Sequence, residues 1–287
     1  MRNRLLLILS ITGILAFAGS EIVRHNLVPD SQKIKTNMQN SHDNDGIWKK
    51  IDSLANEGLP QSALSLVNSI YQAAEKDGNM PEFLKASIYQ LKLRSDFEEN
   101  YIEHFIGETE KNIDTKAAPA RQVLHSILAD LYWQYYQQNR YKILDQSINP
   151  SNTSTDLETW DAVRFVQKTS AHYQASLENS PLLKSIPLKI FDPILQPAEG
   201  SKKFRPTLFD FIAHRAVDFF KDNEASITRP LNPFIMKDSA LLGTTNDFIS
   251  SKIQTSDTLS FHYQVISLLK QMEAFHQNDK DPVAYID

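Results

Sequence analysis

The sequence predicts an all-α protein built from stacked antiparallel helix pairs. Glycine is scarce, with 8 among 287 residues, and tight turns and many-stranded sheets need more of it. Apolar side chains recur with the 3.6-residue period of helices, and no segment alternates convincingly with the two-residue period of strands. Helix breakers separate the periodic segments, namely Gly58, Gly78, Pro81 and Pro119. These three observations favour paired helices over any fold built on a sheet.

The first 18 residues have the pattern of a secretory signal peptide. Arg2 and Arg4 precede an apolar run from Leu5 to Ala18, and Ala16-Phe17-Ala18 is a small-x-small cleavage site. This run is shorter than the roughly 20 apolar residues that a membrane-spanning helix needs, so cleavage is favoured over an uncleaved anchor. We therefore expect export to the periplasm or cell envelope and a mature chain without a membrane span.

Residues 19–45 are predicted to form a disordered tether between the signal peptide and the helical body. The polar run from Asn37 to Asp45 has neither a helical nor a strand period and holds few large apolar groups. Such a segment buries too little apolar surface to offset the entropy lost on folding. The helical domain is therefore expected to occupy residues 46–287.

Residues 46–140 are predicted to contain two helix pairs and a long central helix. Pro81, which opens the second pair, lies 34 residues after Ile47, which opens the first. This spacing is the period of tetratricopeptide-type repeats, so the open alternatives are a TPR-like α-solenoid and an irregular helical bundle. The apolar faces of the first four helices are Ile47, Ile51, Leu54; Ala63, Val67, Ile70, Ala74; Leu84, Ile88, Leu91; and Ile102, Phe105, Ile106, Ile113.

The central helix is expected from Pro119 to about Asn139, and later helices are expected over residues 156–180, 206–221 and 257–277. Thr155 and Glu158 have capping-box spacing ahead of the sixth helix. Five prolines within residues 181–206 predict a crossing segment with at most a short helix over residues 181–185. Residues 222–256 are expected to be irregular, and Asp257 is the expected cap of the last helix.

The composition excludes several chemistries and partners. The absence of cysteine excludes disulfides, thiolate zinc sites, iron–sulfur clusters, cysteine nucleophiles and the lipid-bearing cysteine of a lipoprotein. A net charge of -5 offers no general attraction to nucleic acid or anionic lipid. We therefore expect neither a cofactor nor a nucleic-acid partner.

Catalytic motifs are missing from the sequence, and two weak candidates remain. Asp210 and His214 lie four residues apart on one helix, where a carboxylate can orient an imidazole, but no nucleophile is marked beside them. Glu273 and His276 have the Glu-x-x-His spacing of di-iron bundles, but a second copy is missing. We interpret the first pair as a structural hydrogen bond and the second as a surface pair, and we expect no enzyme activity.

The densest aromatic cluster is the candidate partner contact. Tyr132 and Tyr135 fall on the buried seam of the central helix, whereas Trp133 and Tyr136 point elsewhere and are the predicted contacts with a protein partner. The basic stretch that begins at Lys202 is interpreted as a solvated loop, with anion binding as the alternative.

Several segments resemble the N-terminal helical region of the large alpha-2-macroglobulin-like proteins of Bacteroidetes-type bacterial envelopes. The match runs in order from about Gly46 to Pro282. The resembling segments are Trp48 to Leu54, Gly58 to Leu64, Leu128 to Arg140, Phe204 to Ala216 and Ala274 to Pro282.

The resemblance implies an envelope protein of a protease-trap family, in which cleavage of a bait segment makes the molecule rearrange around the protease. Some family members capture the protease with a thioester from a Cys-Gly-Glu-Gln motif, which this chain lacks because it has no cysteine. The chain also ends near where the family's β-sandwich domains would begin. We therefore expect a non-catalytic scaffold or docking module that works with such domains. A free-standing secreted helical-repeat protein that binds peptide or glycan is the alternative.

Overall fold

A computed structural model describes residues 44–192, 194–195, 203–222, 234–236, 239–257, 260–281 and 283–286. The predicted signal peptide and all but the last two residues of the predicted tether lie outside them. Helices dominate the described residues and no β-strand occurs among them, so the all-α prediction is confirmed. The α-helices are α1 Asp45–Asn56, α2 Pro60–Asp77, α3 Met80–Arg94, α4 Tyr101–Asn112, α5 Ala120–Leu144, α6 Ala162–Ser176, α7 Ser180–Ser185, α8 Leu208–Phe220, α9 Thr245–Ser250, α10 Phe261–His276 and α11 Val283–Ile286.

Helices α2 and α3 form the most extensive antiparallel pair of this region, although the sequence predicted that α1 would pair with α2 and α3 with α4. Gly78 ends α2 in a left-handed conformation (φ 66°), which only glycine adopts without strain. Near the turn the rings of Tyr71 and Phe83 are 4.7 Å apart, and farther along Gln90 donates to Asn68 at 2.8 Å. The predicted inner face of α2 is buried as expected, at Ala63, Val67, Ile70 and Ala74.

Helix α1 lies parallel beside α3, so that α1, α2 and α3 form an up-down-up stack. The Trp48 indole N–H donates to Glu82, and the Tyr89 hydroxyl donates to Asp52 at 3.0 Å. Ile47 was predicted on the inner face of α1, but it is 39% exposed, whereas Trp48 is buried. The helix is rotated from the predicted face because the Trp48 ring packs against Tyr89 with ring centroids 4.7 Å apart.

Helix α5 is the central helix and packs most extensively on the antiparallel α6. It extends to Leu144, five residues beyond the predicted end. Two ring contacts support this pair. Tyr132 stacks on Trp160, just before α6, with centroids 5.6 Å apart, and Tyr135 stacks on Phe165 of α6 with centroids 5.5 Å apart. The predicted burial of Tyr132 and Tyr135 is confirmed.

The start of α6 differs from the prediction. Asp156 caps a short 3₁₀ turn, Leu157–Thr159, and Asp161 caps α6 itself by accepting from the Arg164 amide at 2.9 Å. The predicted Thr155–Glu158 capping box is therefore wrong, because aspartates at the two true starts supply the oxygen acceptors. Helix α6 ends at Ser176, and Asn179 then turns the chain in a left-handed conformation before α7.

A short backbone ladder closes the proline-rich crossing segment. The Leu188 amide donates to the Pro206 carbonyl and the Leu208 amide donates to the Ile186 carbonyl, both at 2.9 Å. This ladder brings the end of α7 against the start of α8. The expected short helix is confirmed as α7, which a 3₁₀ turn follows at Leu188–Phe191.

The C-terminal part is more ordered than predicted. Helix α9 and a 3₁₀ turn at Ser239–Leu242 lie in the segment expected to be irregular. Ser260 caps α10, and Asp257 instead accepts from the Phe234 amide at 3.1 Å, so the predicted Asp257 cap is wrong. Leu259, expected on the last helix, lies outside the described residues.

Three apolar clusters hold the stack together. One joins α1, α2 and α3, a large central one runs from α3 to α8, and a third joins α5, α6, α8 and α10 through Phe219, Phe220 and Phe261. The half-buried Trp133 packs against both the central and the third cluster. Within the described part of the chain, every helix is too short or too polar to cross a lipid bilayer.

Candidate functional site

Asp210, a member of the first weak catalytic candidate, lies in the first turn of α8 and is 1% exposed. One oxygen of its carboxylate, Oδ2, accepts from the Thr207 amide and hydroxyl at 2.9 and 2.7 Å, which completes a capping box. His214 Nδ1 donates to the main-chain carbonyl of Asp210 at 2.8 Å, as a turn of helix allows. This bond within the helix agrees with the interpretation of Asp210 and His214 as a structural pair.

The Asp210 carboxylate bonds to His276 instead. His276 Nε2 lies 2.9 Å from Asp210 Oδ1, and its Nδ1 lies 2.7 Å from Asp279 Oδ2. His276 is only 4% exposed, so the predicted Glu273–His276 surface pair is wrong. Burial alone would lower the pKa of His276, but the hydrogen bonds and charges of the two carboxylates outweigh burial and raise that pKa. The imidazole is thus a charged clasp between α8 and the end of α10.

Replacing His276 with glutamine should destabilise the protein more at pH 6 than at pH 9. The folded pKa lies above the unfolded value of about 6.5, so the clasp stabilises fully below that value. Its contribution is lost as pH rises through the folded pKa. Urea denaturation should give a loss of about 1–3 kcal/mol at pH 6 that shrinks at pH 9. His262→Gln, at an exposed position of α10, should show a small loss that is the same at both pH values; a constant loss for His276→Gln would contradict the charged clasp.

A second, part-buried network joins α5, α6 and α8. The Asp130 carboxylate accepts from the Tyr173 hydroxyl with one oxygen and pairs with the Arg215 guanidinium through the other. Arg215 also donates to the Ser126 carbonyl at 3.3 Å. Burial lowers the pKa of Arg215 to about 9, which leaves it charged at neutral pH beside Asp130. The network therefore places a full ion pair inside the helix stack.

A third network joins α4, α5 and α6 around Glu110. One oxygen of Glu110 lies 2.7 Å from the Lys168 amine and 3.0 Å from His172 Nε2. On its other side, His172 Nδ1 lies 2.9 Å from Nδ1 of His125. Burial would raise the pKa of Glu110, but hydrogen bonds from His172, Lys168 and Tyr132 outweigh it and lower that pKa to about 2.

Sequence reasoning missed the members of this third network. The bonded pairs are separated by 47 to 62 positions, so no motif spacing connects them. The available signal was weaker: Lys168 and His172 lie four apart on α6 and therefore share a helix face.

The predicted partner contacts lie partly in the core. Tyr136 is 2% exposed, and its ring stacks on Trp133 with centroids 4.8 Å apart. Trp133 is half-buried and meets Phe219 edge-on at 5.2 Å. The expectation that Tyr136 points to the surface is wrong, because α6 and α8 cover that side of α5. The exposed aromatic group of this helix is Tyr141, at 82%.

The remaining predicted features add no reactive centre. Lys202 lies outside the described residues, and the Lys203 amine sits 5.5 Å from the Phe204 ring centroid. Among the residues that the structure describes, no group of three or more His, Cys, Asp or Glu side chains could hold a metal ion.

The three networks share one chemical character. Each pairs a carboxylate with a cation or an imidazole from a different helix, and the exposure of the paired side chains ranges from 3% and 1% at His276 and Asp210 to 38% and 31% at Lys168 and Glu110. Such bonds between helices fix the arrangement of the helices that they join. Comparison of the chain with protein-family models, curated proteins and solved structures finds no match.

Proposed function

We propose that this chain is a non-catalytic N-terminal helical scaffold or docking module of an envelope protein of the alpha-2-macroglobulin-like, protease-trap type. The observation that supports this most is where the resembling segments meet. Asp130 lies in one segment, Asp210 and Arg215 lie in a second, and His276 lies in a third. Ion pairs join Asp130 to Arg215 and Asp210 to His276.

The resemblance therefore falls on the residues that hold α5, α8 and α10 together. A module that shares these segments with a family would share the helix packing that they specify. The same bonds give Asp210 and His276 a structural role, which supports a scaffold over an enzyme. Protease capture would then belong to other domains, since this chain has no cysteine for a thioester.

Export to the periplasm or cell envelope is part of the proposal. It is supported by the charged, apolar and small-residue pattern of residues 1–18. In this setting the protein partner would be a macroglobulin-type β-sandwich domain.

Burial of Tyr136 moves the proposed docking contact to the exposed end of α5. Tyr141, Leu144 and Ile148 are all more than half exposed there. A large aromatic ring flanked by aliphatic side chains is a typical anchor of a protein interface. The half-buried Trp133 packs on Tyr136 and Phe219 and is not part of this proposed contact.

The test is a binding measurement between purified residues 19–287 and the β-sandwich domains encoded beside this gene. Analytical ultracentrifugation should detect a complex, and Tyr141→Asp should raise its Kd at least about tenfold. Leu59→Asp, which changes an exposed apolar residue at the other end of the stack, is the matched control and should leave the Kd unchanged. The proposal fails if no such domain is encoded nearby or if none binds.

A free-standing secreted helical-repeat protein that binds peptide or glycan is the second candidate. The parallel stacking of α1 on α3 favours it, because repeat proteins build their binding surfaces from such stacks. Binding to a peptide or glycan array, with no complex formed by β-sandwich domains, would select this candidate.

A further inference from the structure

Two histidines face each other across the α5–α6 interface. Nδ1 of His125 lies 2.9 Å from Nδ1 of His172, and the ring centroids are 5.2 Å apart with planes inclined by 37°. This centroid separation is what a nearly straight N–H···N bond between two imidazoles gives. A straight bond has room for one proton between the two nitrogens, so only one Nδ1 can carry hydrogen.

Glu110 fixes the protonation of the other side of His172. Its carboxylate lies 3.0 Å from His172 Nε2 and is ionised above about pH 2. An ionised carboxylate only accepts hydrogen bonds, so His172 Nε2 must carry a proton. The same carboxylate stabilises a positive charge on His172. The positive charge of a singly protonated pair therefore lies best on the His172 ring, which contacts this carboxylate.

The pair can take up one proton without breaking. When His172 becomes an imidazolium, it donates from Nδ1 to the neutral Nδ1 of His125, and the 2.9 Å contact is kept. A second proton cannot be added to the pair while the contact is kept. It would put hydrogen on both facing nitrogens and two positive charges on neighbouring rings, so the contact would have to open.

We propose that the His125–His172 pair is an acid-sensitive latch between α5 and α6, closed while His125 is neutral and opened when His125 is protonated. The charged and titratable groups around it come from every packed element. They are Glu110 on α4, Asp114 on the adjoining 3₁₀ turn, Arg121 and Tyr132 on α5, and Lys168 on α6.

These neighbours set the pH at which the latch opens. Burial, and then the charge of His172, lower the pKa of His125 to about 4, with a smaller contribution from Arg121. Asp114 and Glu110 act in the opposite direction and favour the charged ring. The latch is therefore closed at neutral pH and opens near pH 4. Asp114 is the acceptor toward which the freed His125 ring would turn.

Opening of the latch should break the His125–His172 contact and leave the neighbouring contacts in place. Glu110 keeps its bonds to Lys168, His172 and Tyr132 because it stays ionised at pH 4. Tyr132, which stacks on both His172 and Trp160, has a raised pKa and stays neutral, so these ring contacts should persist. The expected change is release of one contact on α5, with the helix stack intact.

Nitrogen-15 NMR of the histidine rings tests the latch directly. At pH 7 the two Nδ1 atoms should share one slowly exchanging proton. On titration toward pH 4 His125 should gain its second proton with loss of that slow exchange, and Asp114→Asn should lower the pH of this step. Two fully protonated rings at pH 5.5 with the shared proton still protected would overturn the proposal.

Melting temperatures provide a second test, which does not require the protein to remain folded at pH 4. Between pH 7 and pH 5 the unfolded state binds a proton at His125 that the folded state does not bind, so His125 makes a negative contribution to the change in wild-type Tm as pH falls, opposite in sign to that of His276. His125→Leu removes this proton uptake and should lose fewer degrees over the same interval. His262→Leu, at an exposed position, should lose as many degrees as wild type. Equal losses for His125→Leu and wild type would overturn the latch.

Discussion

Replacing Asp130 with alanine is expected to lower the free energy of unfolding by about 3–5 kcal/mol. The change leaves the Arg215 guanidinium inside the stack without its carboxylate and removes the acceptor of the Tyr173 hydroxyl. Unpaired buried charge is among the most destabilising changes that one substitution can cause. Urea denaturation at neutral pH measures the loss.

Two further variants make this result specific to the buried pair. Asp130→Asn keeps an oxygen acceptor and should cost less than alanine. Glu158→Ala removes one partner of the Lys142–Glu158 pair, which is more than half exposed on both sides, and should cost under about 1 kcal/mol. Equal losses for Asp130→Ala and Glu158→Ala would contradict a buried ion pair.

Replacing Tyr136 with alanine is expected to cost about 3–5 kcal/mol, the range for removing a buried aromatic ring. The ring is 2% exposed and packs against Trp133 and Phe165, so its loss leaves a cavity between α5 and α6. Thermal and urea unfolding should both report the loss. Binding to a β-sandwich partner, measured where the variant is folded, should be nearly unchanged.

Tyr141→Ala is the matched control on the same helix. Its ring is 82% exposed, so the free energy of unfolding should change by less than about 0.5 kcal/mol while partner binding weakens. The reverse pattern, with a stable Tyr136→Ala variant that fails to bind, would restore Tyr136 as a surface contact and contradict the packing described above.

Local pattern was enough to predict the inner face of α2 but only part of the inner face of α1. In α2 the apolar positions are spaced evenly, proline opens the helix and a left-handed glycine closes it, so every local signal agrees. In α1 the periodicity of Ile47, Ile51 and Leu54 was right for the buried Ile51 and the half-buried Leu54 but wrong for Ile47, which is 39% exposed. The helix is turned by Trp48, whose ring and indole N–H find partners on α3, and this contact depends on a neighbour that the local sequence does not reveal.

The polar networks were hidden for a similar reason. Asp210 was singled out correctly as a bonded residue, but its imidazole partner is 66 positions away rather than four. Helical spacing predicts only pairs within one helix, whereas the observed bonds join different helices. The same holds for His125 and His172, each of which is unremarkable within its own helix.

The central claim is that ion pairs between resembling segments hold the helix stack together as a scaffold. A double-mutant cycle over Asp130→Ala and Arg215→Met tests it most directly, because it isolates the energy that the two side chains share. The account predicts a coupling energy of about 2–3 kcal/mol, with the double variant less destabilised than the sum of the single variants. Additivity within about 0.5 kcal/mol would contradict it and would assign the cohesion of the stack to apolar packing alone.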